Sequence, residues 1–166
     1  MKHTLKRLGI FAICALTLFC GSACGKHLFR SVDMGMTKDQ VAKAEKDADN
    51  LYVLPDSGAY LYAGVTYLDM TGTAVYSFDD SDNLDSILFM ADEAYSSTDA
   101  FNAVSNLMSD TYGDPAYQNS GYDADLQQDV TTMSWIDEKD SLNVMILWAP
   151  DTSLTIYFVP MNSSSS

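Results

Sequence analysis

Hydrophobic and polar positions along this chain fall into blocks with two different periods. The stretch GMTKDQVAKAEKDADN, from Gly35 to Asn50, opens with a helix start: Thr37 is a good N-cap and Gln40 completes a capping box. Met36 before the cap and Val41 after it stand at hydrophobic-staple spacing. Together they predict a helix from Lys38 to about Ala48. Beyond Pro55 the period drops to two. Segments 59–68, 72–80 and 84–93 are rich in aromatic and β-branched residues and predict three strands. Their links, DMT and DDSDN, read as hairpin turns, since Asp and Asn side chains stabilise tight turns.

Helical spacing returns in SSTDAFNAVSNLMSDTYGDP. Phe101, Val104, Leu107 and Met108, with Thr111 and Tyr112 beyond, make one stripe. Ser97 or Thr98 caps its start, and Gly113 and Pro115 stop it. The polar stretch 116–129 reads as a loop, and three further strands are predicted at 130–137, 141–150 and 153–160. The order is a helix and three strands, twice over. The expectation is an α+β domain over 34–160, an antiparallel sheet with helices packed on one face.

The N-terminus changes the picture from fold to location. Lys2, Lys6 and Arg7 precede the apolar run Leu8–Phe19, and Gly21, Ser22 and Ala23 lead into Cys24. This is the order of an export signal, and the apolar run is short for a membrane-spanning helix. Residues 1–23 are therefore read as a signal peptide. Ser22, Ala23 and Cys24 resemble a lipobox, with Gly21 where Leu is usual. Cys24 is the expected lipidation site, which places the protein outside the cytoplasm on a lipid anchor; plain secretion after the same cut is the alternative. Cleavage removes Cys14 and Cys20, so the mature chain holds no pair for an internal disulfide. Residues 24–33 are expected to be a loose tether and 161–166 a flexible tail.

Charge narrows the choice of partners. The formal net charge is −14, and from Asp47 onward Lys139 is the one basic residue against twenty acids. Such a field repels phosphate backbones and anionic headgroups, which excludes nucleic acid and leaves membrane attachment to the anchor. It suits an acidic, soluble domain or one that meets a basic partner.

The segment Gly35–Val41, GMTKDQV, and the later YGDP at Tyr112–Pro115 resemble a known pattern. They are similar to the fold group of β-lactamase-inhibitory protein and the small BamE/SmpA-type envelope lipoproteins. Gly35, Met36, Thr37, Gln40 and Val41 match that group's helix opening, and Gly113 and Pro115 its closing turn. The second half lacks the opening, starting instead with SSTDAF. The resemblance implies a non-catalytic extracytoplasmic module that binds other proteins, often on the sheet face opposite the helices. It supplies neither a partner nor contact residues.

Candidate chemistry is sparse. From Asp33 onward there is no His and no Cys, so neither a Ser-His-Asp nor a Cys-His arrangement can be assembled, nor an ordinary zinc or copper site. The run DDSDNLD, 79–85, lacks the glycine and distal Glu of a calcium loop and reads as a solvated turn. No enzyme activity, metal or cofactor is expected. The aromatics remain. Tyr60, Tyr62, Tyr76, Trp135, Trp148 and Tyr157 are candidate anchors of a binding face, because helices cover only one side of strands that are apolar on both. The expected function is a protein-interaction module of the bacterial cell envelope, its partner an unidentified protein of basic character. The alternative is a small-ligand or glycan-binding lipoprotein that uses the same aromatic face.

Overall fold

In the computed structural model, which describes residues 28–46, 48 and 50–161, the capping box forms. The backbone N–H of Gln40 donates to the Thr37 hydroxyl, and the N–H of Thr37 donates to the Gln40 side chain at 2.9 Å. Helix α1, Lys38–Ala44, is shorter than its pattern suggested, because the chain leaves helical geometry at Glu45. Helix α2, Thr98–Tyr112, starts on the Ser97 cap and ends where Gly113 takes a φ of 86°, a left-handed conformation that glycine adopts without penalty.

Strands make up most of the rest: β1 Leu51–Val53, β2 Tyr60–Tyr67, β3 Met70–Phe78, β4 Leu84–Ala91, β5 Tyr117–Asp123, β6 Gln128–Asp137, β7 Leu142–Ala149 and β8 Ser153–Pro160. All eight join one antiparallel sheet in the order β1-β2-β3-β4-β8-β7-β6-β5. The α+β class is thereby corrected. Among the described residues the fold is β-rich, one broad sheet with two helices of seven and fifteen residues. Each unit is a helix and four strands rather than three. The missed strands, β1 and β5, are the two edges of the sheet and are exposed along nearly their whole length. With little to bury, an edge strand need not carry the alternating pattern by which interior strands are read. The link between β2 and β3 is also tighter than expected. Leu68 and Asp69 alone form it, both with positive φ, and Met70 already pairs with Tyr67.

Register separates the two faces. Tyr62, Ala74, Phe89, Ile156, Ile146 and Met133 lie side by side across six strands, all but Met133 almost wholly buried. On this covered face they meet Val41 of α1 and Phe101, Val104 and Met108 of α2 in one cluster. Burial of each large apolar side chain there contributes roughly 1.5–3 kcal/mol. Neighbouring positions on the same strands point the other way, onto a face against which no element lies among the described residues.

The segment expected as a loose tether is partly built into this core. Phe29 and Val32 exchange backbone hydrogen bonds of 3.1 and 2.8 Å across a tight turn, and both side chains are fully buried. The Phe29 ring sits 4.4 Å from Tyr67 and 5.8 Å from both Phe89 and Phe158, on the covered face. Leu28 N–H donates to the Asp33 carboxylate at 2.9 Å, closing the hook. The signal peptide, Cys24 with residues 25–27, and the tail from 162 lie outside the described residues.

Candidate functional site

The aromatic candidates divide between the faces. Tyr76 is fully buried, its hydroxyl donating to Glu45, and Tyr62 packs edge-on against it at 5.8 Å. Trp135 is fully buried with its indole N–H toward Ser109. Trp148 lies flat on Phe101, ring centres 4.4 Å apart, and donates its indole N–H to the Ser96 carbonyl at 2.7 Å. Tyr60 is half-buried against Phe78 at 5.1 Å. These five stand on the covered face and serve the core, because their register positions coincide with the rows that the helices cover. Tyr157 alone of the six belongs to the open face, beside Leu88 on β4 and Met145 on β7.

That open face was not assembled from the sequence. Register gathers Leu61, Val75, Leu88, Tyr157, Met145 and Leu147 along its centre, with Val130, Ile136 and Tyr117 toward the β5 edge. Thr71, Thr73, Thr132, Ser134 and Asn143 fill the spaces between them. In its central rows the paired open-face positions hold no Asp, Glu, Lys or Arg; Asp85 stands at the β4 bulge and Asp123 at the end of β5. Charge-free surface is unusual in a chain this acidic, and a continuous half-exposed apolar strip marks a docking surface more often than a solvated one. Alternation at period two was visible in each strand. Which of the two apolar sides faced a helix was not, because that depends on pairing across the whole sheet.

Acids crowd the ends of the strands instead. Asp79, Asp80 and Asp82 of the β3–β4 turn and Asp137, Glu138 and Asp140 of the β6–β7 turn stand at the same end of the sheet. The Asp79 carboxylate accepts backbone N–H groups of Asn83 at 2.9 Å and Ser81 at 2.8 Å. Those bonds, the Asn83 one foremost, hold its carboxyl below the usual carboxylate range. Asp82 is paired with Lys38. Acidic turns border the uncharged centre at this end.

One other feature has polar character. A shallow depression of about 310 Å³ beside the β2 bulge at Gly64 is lined by Arg30, Ala48, Asn50 and Thr66. Arg30 is already engaged, its Nε donating to the Glu45 carboxylate at 2.9 Å and an Nη to the Thr66 carbonyl at 2.6 Å. Its charge is neutralised before any ligand arrives. Among the described residues no group of three or more His, Cys, Asp or Glu side chains is placed to hold a metal ion. Comparison with protein-family models, with curated proteins and with solved structures returns no significant match.

Proposed function

We propose that this chain is an exported, lipid-anchored, non-catalytic protein-interaction module of the bacterial cell envelope, and that it binds its partner on the open sheet face. The observation that carries this reading is the uncharged apolar centre of that face, bordered by acidic turns at the strand ends. A complementary partner presents an apolar patch bordered by Lys and Arg. Its apolar centre supplies affinity, while its charges govern encounter rate and salt dependence. The export signal and Cys24 supply the location, and the resemblance at Gly35–Val41 and Tyr112–Pro115 points to the same class of protein.

The test uses the mature chain and a Met145→Glu variant, which sets a charge at the centre of the open face. Partners are enriched from envelope extract of the native host, then purified and titrated directly. The expected result is a protein whose Kd weakens at least tenfold with Met145→Glu and also weakens as salt rises, while the variant's melting temperature stays close to that of the parent. Equal binding by parent and variant would remove the open face from the reading. A mature mass without added lipid would remove the anchor.

A further inference from the structure

Resting on the reading of a protein partner with basic borders, we infer that the outer edge of β5 takes an extended segment of that partner as an added strand. The segment is an uncharged stretch flanked by Lys or Arg, paired main chain to main chain along Tyr117–Asp123. The open face thereby continues across its β5 edge into the partner.

An edge strand exposes a row of main-chain N–H and C=O groups, and folds guard such rows with short strands, bulges, charges or proline. The β1 edge is guarded in this way. β1 has three residues and flanks only Tyr60–Tyr62 of β2. Beyond it β2 carries the bulge between Ala63 and Val65, and an Arg30 Nη donates to the Thr66 carbonyl at 2.6 Å. The β5 edge has none of these devices. Its seven residues pair with β6 in unbroken register, from Tyr117 opposite Ser134 to Asp123 opposite Gln128, with no proline and no basic residue. The one charge, Asp123, lies at the end of the strand, its carboxylate accepting the N–H groups of Asp125 and Leu126 at 2.9 Å. Among the described residues no strand lies on the far side of β5. Alternate residues direct both main-chain groups outward, along an edge of about 24 Å.

Gly121 points the same way on separate grounds. A glycine inside a strand marks a bulge, a bend or the close approach of another backbone. β5 has no bulge, Gly121 has no positive φ, and a Cβ built there would meet nothing within 4 Å. Neither conformation nor packing within this chain calls for glycine, which leaves the approach of another chain. Charge then selects the occupant. Asp114 before the strand and Asp125 after it are exposed at its two ends, with Gln118, Asn119 and Ser120 uncharged between them. A segment with basic residues at both ends of an uncharged middle complements that pattern. A second copy does not. Symmetric antiparallel pairing of two β5 strands about Ser120 sets Asp114 of each copy near Asp125 of the other, acid against acid.

The test uses the full mature protein in detergent micelles, with hydrogen–deuterium exchange read by mass spectrometry. The probe is a synthetic peptide of alternating Thr and Val between paired Lys residues, its middle matched to the seven residues of β5. It should slow amide exchange across 117–123 several-fold and leave β1 and β2 unchanged. The same peptide N-methylated along its middle keeps its charges but loses its donors, and should give no protection. Exchanging its Lys residues for Glu should weaken the protection several-fold. Gly121→Lys, whose side chain enters open space in this fold, should keep the parental melting temperature and abolish the protection. Met145→Glu should leave the protection intact, so failure of the edge and failure of the open-face reading are told apart. No protection at 117–123, or protection that survives N-methylation, would overturn the inference. A dimer in sedimentation with β5 protected before peptide is added would give the edge to a second copy and overturn it as well.

Discussion

Glu45 is a carboxylate in the core, and donors from two distant parts of the chain make its burial sustainable. Arg30 and Tyr76 both donate to it. Burial first, then the bond to Glu45, raises the Tyr76 hydroxyl far above the usual tyrosine range; burial raises Tyr67 and Tyr62 as well. A raised value means the folded state keeps a proton that the unfolded chain releases. The stability these tyrosines contribute is thus complete below about pH 10 and declines as pH climbs further. Tyr76→Phe is expected to lower stability at neutral pH by about 1.5–3 kcal/mol and to make the alkaline decline shallower. Urea titrations from pH 7 to 11 check both; an unchanged alkaline slope would count against the assignment. None of this was legible in the sequence. Glu45 sits in KAEKDAD, which reads as a solvated helix end, and Arg30 lies fifteen positions away in a segment that reads as tether. Side-chain pairs of this kind depend on tertiary approach, which no local pattern encodes.

Among the elements, the hook departs furthest from its appearance in sequence. Leu28–Val32 has one aromatic and two aliphatic residues with no periodicity, too short a run to register as an element. Phe29→Ala should cost about 3–5 kcal/mol if the ring fills the core as described, and almost nothing if the segment were a loose tether. A thermal or urea melt of that variant decides it. The capped helices and the six interior strands were legible because each carries both a period and a boundary signal, as Thr37 with Gln40 and Gly113 with Pro115 illustrate. The edge strands were not, β5 because YQNSGYD is polar and exposed throughout, β1 because LYV is only three residues long. Their omission also hid that strands outweigh helices in this fold. The candidate site suffered from the same gap. Tyr62, Tyr76, Trp135 and Tyr157 were recognisable as large aromatics on strands, but only the assembled register sends three of them inward and one outward.

For the whole molecule the governing quantity is its acid excess. Eighteen acids against one lysine from Asn50 onward repel one another across a domain of modest size. Salt screens this repulsion, so the melting temperature at neutral pH should rise by a few degrees between ~10 mM and ~200 mM NaCl, against the direction expected for a fold held by ion pairs. A flat or falling response in a salt series would mean that the acids are offset locally. The sheet order has a consequence of another kind. The final strand of the chain, β8, occupies the middle of the sheet, between β4 and β7, and its pairing with β4 joins residues some seventy positions apart. An N-terminal fragment that stops before β8 holds β4 as a border strand, paired with β3 on one side only. Synthesis from the N-terminus therefore cannot complete this fold piecemeal: the two halves close in one late step of long loop length, and the chain stays open to chaperones and proteases until its C-terminal strand is delivered.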